Sequence, residues 1–269
     1  MKLSYLWVFI NIFLLSSCKS DNLNTISSVP KSLTEISAAE KIAFSELIWV
    51  IEDSRNSNSV YGLNKSGEII KELKITNAIN NDWEDLTSDS IGNIYIGDFG
   101  NNKKDRTSYF IYKVKEPNGN INHTTAEKIT FRLPAKLKQE NFEAFFIYNN
   151  HFYIFNKEKT CKMFKVPNKI GEHEAELVST FKLKGKQNQI TSASISLDGK
   201  TVVLLNKKKL WKLTYFKEDL FFDGTIESLE FNHFSQKEGI CFKDKNTVYI
   251  TDERISLIGG NIYTFNINN

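Results

Sequence analysis

Cysteine is scarce in this chain. Of its 269 residues three are cysteines, Cys18, Cys161 and Cys241, and none forms a CxxC pair. The four histidines (His123, His151, His173, His233) show no HxH or HExxH spacing, so a zinc site of ordinary ligand spacing is not supported. Ser/His/Asp and Cys/His nucleophile motifs are also missing. Charge of one sign is lacking too, since 35 basic against 32 acidic residues leave +3, too little to argue for nucleic acid. The Lys207-Lys208-Lys209 run reads as a solvated hairpin. Beyond residue 15 no apolar run is long enough to span a bilayer, and hardly any segment keeps helical spacing. Cys161 and Cys241 sit on flanks that look like strands of different repeats. Buried free thiols are expected there, because a disulfide needs close and specific geometry, although an exported protein could join them.

What is present begins at the first residue. Met1-Lys2, an apolar run from Leu6 to Leu15 and a small-residue stretch ending at Cys18 describe a secretory signal. Leu15-Ser16-Ser17-Cys18 resembles the bacterial lipobox, which implies cleavage before Cys18, acylation there and stable membrane anchoring. The alternative is an ordinary signal peptide or an uncleaved anchor. Lys19 to about Ser32 is rich in Ser, Asn, Lys and Asp and reads as a tether. The expected organisation is therefore a signal peptide at 1–17, a lipidated tether at 18–32 and a folded domain at 33–269.

That domain reads as nearly all β. Ile48-Trp49-Val50-Ile51, Asn93-Ile94-Tyr95-Ile96-Gly97, Phe152-Tyr153-Ile154-Phe155, Val202-Val203-Leu204-Leu205 and Val248-Tyr249-Ile250-Thr251 are short β-branched and aromatic runs bounded by turn residues. Each occupies the same place in a longer phrase, followed by an aromatic strand such as Phe110-Ile111-Tyr112-Lys113-Val114. In the first four repeats an outer strand follows, near Ile69–Ile75, Ala126–Leu133, Ala175–Leu183 and Thr225–Phe231. Four strands per repeat, recurring about every 40–60 residues, predict a β-propeller. Five blades are counted, six if one has escaped the count. A sandwich or barrel is the competing fold. The fifth repeat ends without an outer strand, so a segment around Ser27 to Leu33 is expected to close the ring.

The stretch Asp82-Trp83-Glu84-Asp85, then Gly97-Asp98-Phe99-Gly100-Asn101-Asn102, Arg106 and Ile111-Tyr112-Lys113-Val114-Lys115-Glu116-Pro117, resembles a group of exported bacterial β-propellers similar in layout to the SdiA-regulated and phytase-like propellers. Asp198-Gly199-Lys200 and Gln236-Lys237-Glu238-Gly239-Ile240 agree with that pattern, so the resemblance covers nearly all of the mature chain. Two departures lower the negative charge: Thr191-Ser192-Ala193-Ser194 replaces an acidic phrase, and Asn101 stands where Asp is common.

Four glutamate phrases recur, at Glu35, Glu84, Glu143 and Glu238, each placed at the start of an innermost strand. In a propeller these positions should lie near Asp53, Asp98, Asn156, Asn206 and Asp252, which end second strands. The expected ligand-binding set is Glu35, Glu84, Glu143, Glu238, Asp98, Asn102, Arg106 and Asp252. Glu84, Glu143 and Glu238 are the candidate metal ligands, because crowded carboxylates repel unless a cation or proton neutralises them, and Ca2+ suits oxygen ligands. Each glutamate could instead lock neighbouring blades together, Asp98, Asn101 and Asn102 could serve their own turn, Trp83 could pack between blades, and Arg106 could pair with carboxylates. Three functions compete. They are an envelope binding module for a small molecule, glycan or protein, a metal-dependent esterase or phosphoesterase of the phytase-like kind, and a scaffold in an envelope complex.

Overall fold

The computed structural model describes residues 22–185 and 188–268, so Cys18 and the signal-like segment lie outside the described residues. Among the described residues the strands form five sheets and there is no helix. The sheets are the blades of a five-bladed propeller, the smaller of the two expected counts. Blade 2 is built from Trp83–Ser88, Ile94–Asp98, Tyr109–Val114 and Glu127–Arg132. Blade 3 uses Phe142–Tyr148, His151–Asn156, Cys161–Pro167 and Glu176–Phe181. Ser192–Ile195, Thr201–Leu205, Lys209–Thr214 and Thr225–Glu230 make blade 4.

The strands read as continuous apolar runs because both of their faces are covered. Alternate residues of one strand point to opposite sides of the sheet, and in a propeller each side meets a neighbouring blade. Ile94 and Ile96 pack with Trp49 and Val60 of blade 1, whereas Tyr95 between them packs with Phe145 and Phe152 of blade 3. Phe145 and Phe146 divide in the same way between the blade 2 and blade 4 sides. Five such apolar layers, one per blade junction, make up the core. Trp83 belongs to one of them, packing at a centroid distance of 6.4 Å from Tyr112. Cys161 and Cys241 are free, buried and in different layers, as expected.

Ring closure follows the expected logic at a shifted place. Asn24–Ser28 pairs antiparallel with Asn261–Asn266 and completes blade 5, whose other strands are Lys237–Phe242 and Thr247–Asp252. Part of the stretch read as tether is thus a strand of the fold. Its Ser- and Asn-rich composition suits an edge strand whose side chains mostly meet water, with Ser28 Oγ donating to Asn261 Oδ1 at 2.8 Å beside the backbone ladder. Leu23 still anchors it, buried beside Phe231 and Phe265.

Two further edges are knitted across blades. His123–Thr124, from the hairpin ending blade 2, adds in parallel to Ile69–Ile75 of blade 1, and Gly171–Glu174, from blade 3, adds in parallel to the outer strand of blade 2. Blade 1 itself has the regular strands Ile48–Val50 and Ser59–Leu63, but its innermost segment is reduced to isolated bridges, Ile36 to Glu52 and Glu40 to Trp49.

Candidate functional site

Three innermost strands carry the same irregularity. Trp83 pairs with Asp98 and Asp85 with Gly97, Phe142 with Asn156 and Ala144 with Phe155, Lys237 with Asp252 and Gly239 with Thr251. In each case one residue is left over, and it is Glu84, Glu143 or Glu238. A bulge of this kind re-aims the extra side chain out of the ladder, so these three glutamates face the mouth of the propeller. In blade 4 the matching position is Thr191, whose hydroxyl donates to the Lys237 carbonyl at 2.8 Å. In blade 1 it is Ser37, donating to the Trp83 carbonyl at 3.1 Å. The ring is therefore three carboxylates and two hydroxyls. Glu35 lies outside it, exposed, and accepts from Asn56 Nδ2 at 2.7 Å.

One carboxylate cluster forms within this mouth. Asp53, from the loop leaving the second strand of blade 1, meets Asp82 and Glu84 of blade 2, with one oxygen of each within 4.8 Å of the others. Asn80 ties the two loops together, its Nδ2 donating to the Glu52 and Asp53 carbonyls, each at 2.9 Å. Gly100 makes the approach possible. A Cβ there would lie 2.1 Å from Glu84 Oε1 and 2.4 Å from Asp82 Oδ2, so the two carboxylates close over a position that only glycine leaves open.

The other two bulge glutamates stand differently. Glu143 accepts from Lys157 Nζ at 2.7 Å and from Asn141 Nδ2 at 2.8 Å. Glu238 is buried, and its Oε1 has no hydrogen-bond partner. The electrostatics follow from crowding out of water. Burial, then the charges of Glu143 and Asp53, hold the Glu84 carboxyl well above its usual range. Burial likewise pushes Glu238 up to about 8, with Lys157 opposing it. Glu253, beside Asp53, rises to about 7, mostly by burial. Asp82 rises to about 6 through burial and the Asp53 and Glu143 charges. Burial alone would lower the Lys157 ammonium, but Glu143, Glu238 and Glu84 together hold it above its ordinary range.

The remaining expected ligands are engaged in holding loops. Asp98 accepts from Arg106 Nη1 at 3.0 Å, Asn81 Nδ2 at 2.9 Å and the Asp82 amide at 3.2 Å. Arg106 also donates to the Gly100 carbonyl at 2.9 Å and the Asp98 carbonyl at 3.0 Å, stapling the 99–106 loop. Asn102 accepts from Asn141 Nδ2 at 3.2 Å. Asp252 accepts from the Asn261 amide and the Tyr263 hydroxyl, each at 2.8 Å. Asn156 and Asn206 do the same service in blades 3 and 4, accepting from the amides of Lys162 and Lys209. Asp53 is the exception among the residues that end second strands. Its carboxylate accepts from the adjacent Ser54 amide and faces the cluster.

Sequence reasoning did not assign Asp82, Gly100, Lys157 or Glu253 to the site. Asp82 was visible in the Asp82-Trp83-Glu84-Asp85 phrase, two residues before the bulge, and Lys157 follows a strand-ending Asn. Neither signal says which oxygens will meet.

No family model and no curated protein matches the chain. Among solved structures, a chain of a nidogen/laminin complex is similar with a TM-score of 0.50 at 11% identity, over 81% of this chain and 72% of that one. A gluconolactonase from Xanthomonas campestris is similar at 10% identity with a TM-score of 0.48, over 85% of this chain and 71% of that one. The first of these likenesses agrees with the propeller fold and carries nothing about function. The class the structure defines is a five-bladed β-propeller with an acidic mouth.

Proposed function

We propose that this chain is an envelope lipoprotein, acylated at Cys18 and held on a bacterial membrane, whose propeller binds a ligand at the acidic mouth through a hard divalent cation, Ca2+ first among them. The observation that carries the reading is the Asp53, Asp82 and Glu84 cluster, drawn from two blades and closed over Gly100. Oxygen-only donors favour Ca2+ or Mg2+ over softer metals, and three carboxylates leave coordination positions of a six- to eight-ligand ion for a bound molecule. The raised proton affinities of Glu84 and Asp82 are the mark of negative charge awaiting neutralisation. Lys157 beside the cluster offers a cationic contact to an anionic or strongly polar ligand.

A second reading, a metal-dependent ester or phosphoester hydrolase, draws on one observation. Glu238 has a buried, unpartnered oxygen and a carboxyl pushed up to about 8, the condition of a general acid poised near neutral pH. A bound cation would supply Lewis-acid activation in that case.

The test is calorimetric titration of the full chain, purified in detergent and stripped with EDTA, with CaCl2 and MgCl2. Saturable binding in the wild type, weakened in Glu84→Gln, is expected, whereas absence of binding overturns both readings. Anchoring is checked separately by incorporation of labelled palmitate, which Cys18→Ala should abolish.

A further inference from the structure

The face opposite the acidic mouth holds a cavity of about 1380 Å³, built by the hairpins that join first to second strands. Its floor is neutral and rich in hydrogen-bonding groups. Thr87, Ser88 and Ser194 come from the far ends of first strands, and Glu40, only 9% exposed, accepts from Ser88 Oγ at 2.7 Å. Burial pushes the Glu40 carboxyl up to about 8 against the bonds from Ser88 and the Lys41 amide, so at neutral pH it is a donor as well as an acceptor. Ile147, Tyr148, Ile195 and Phe242 give the walls apolar and aromatic surface.

Around the rim the charges cancel. Lys41, Lys113, Lys243 and Lys245 stand against Glu46, Asp89, Asp198 and Asp244. Three of these acids are occupied within their own turns: Asp89 accepts from Asn93 and Tyr95, Asp198 from Ser196 and the Lys200 amide, and Asp244 from the Asn246 amide. No net field selects an ion.

Three hairpins nevertheless present large apolar side chains to water at this mouth: Phe44 at 92% exposure, Ile91 at 75% and Leu197 at 100%. Phe44 is the informative one, because it sits in the left-handed region at φ 61°. A bulky residue there is strained, and an exposed ring recovers none of that strain by packing within the fold. Its placement has a physical rationale if the ring contacts something outside the chain.

A neutral polar floor, apolar walls, balanced rim charge and an exposed ring match a ligand with many hydroxyls and apolar ring faces. The cavity also exceeds the about 300–1,000 Å³ common for small-molecule sites. We propose that this second mouth binds a neutral oligosaccharide, with Phe44 stacking on a sugar ring and Glu40, Ser88 and Ser194 bonding its hydroxyls. The site needs no cation and stands independently of the acidic mouth.

The test is isothermal titration of the full chain with maltotetraose, cellotetraose and chitotetraose in turn, at millimolar saccharide and in EDTA. Binding of at least one is expected. Phe44→Gly should weaken it about tenfold while leaving the melting temperature equal or higher, since glycine accepts the left-handed backbone. Glu40→Gln should weaken it to a similar degree, and Glu84→Gln should leave it unchanged. No heat with any of the three saccharides overturns the proposal, as does binding that is undiminished in Phe44→Gly or lost in Glu84→Gln.

Discussion

Asp85 of blade 2 and Ser192 of blade 4 meet across the propeller axis, the serine hydroxyl donating to Asp85 Oδ1 at 2.9 Å. The other donors to Asp85 are the amides of Leu86, Phe145 and Ala193, at 3.0, 3.1 and 3.3 Å, and Ser192 Oγ in turn accepts from the Ile240 amide at 3.1 Å. Four blades are therefore joined through two side chains. The serine phrase that looked like a gap in an acidic ring is the partner of a fully buried aspartate across the axis.

Removing Asp85 leaves several buried donors without an acceptor. Asp85→Ala should cost about 3–5 kcal/mol of unfolding free energy, and Ser192→Ala about 1–2 kcal/mol. Denaturant unfolding of both single variants and the double variant checks this. Additive losses would mean that the two side chains do not act as a unit.

The acidic mouth makes stability depend on pH in a defined direction. Glu238, Glu253 and Asp82 have folded values of about 8, 7 and 6, raised from 4.5, 4.5 and 3.8, and Glu84 is raised as well. Between the unfolded and folded values the folded state binds more protons, so stability falls as pH rises from about 4 to about 8. Glu40 at the other mouth adds in the same sense. Melting in EDTA should therefore give a lower midpoint at pH 8 than at pH 6. Saturating Ca2+ should reduce that slope if the cation replaces the protons.

Gly100→Ala tests the cradle directly. The added methyl must displace Glu84 Oε1 and the Asp82 carboxylate, so Ca2+ affinity should drop at least about tenfold. Glu84→Gln replaces a carboxyl whose ionised form burial and the Glu143 and Asp53 charges disfavour, and should weaken Ca2+ binding while raising the melting temperature in EDTA. A variant that loses cation affinity and also melts lower in EDTA would assign Glu84 to blade packing.

Deleting residues through Ser28 strips blade 5 of its outer strand and frees the edge of Asn261–Asn266. It also removes Asn22 and Leu23, whose partners Phe231 and Phe265 lie on blades 4 and 5. The truncated chain should melt well below the full chain and show a stronger tendency to associate through the open edge. Size-exclusion chromatography and thermal melting read the two effects.

Much of the architecture was legible locally, and particular residues show why. Tyr95 between Ile94 and Ile96 can be apolar on both sides only if both faces of its sheet are covered, and repetition of that phrase points to blades. The closing strand was legible as a need but not at its place, because Asn24–Ser28 is a short polar segment positioned by its pairing with the distant Asn261–Asn266, through backbone and side chains alike. Asp98, Arg106 and Asp252 looked like site residues because short polar loops with bound carboxylates and short polar loops stapled by carboxylates use the same letters.

Residue order by itself determined the all-β character, the repeat, the free thiols and the recurrence of glutamate at strand starts, since these depend on local periodicity and burial. Tertiary structure alone decided that Glu84, Glu143 and Glu238 occupy bulges while Ser37 and not Glu35 completes the ring, that Asp53 crosses to Asp82, and that Asp85 and Ser192 share the axis. The physical reason is that a bulge is a property of two paired strands and a carboxylate cluster a property of two blades. Neither is encoded in the spacing along one segment.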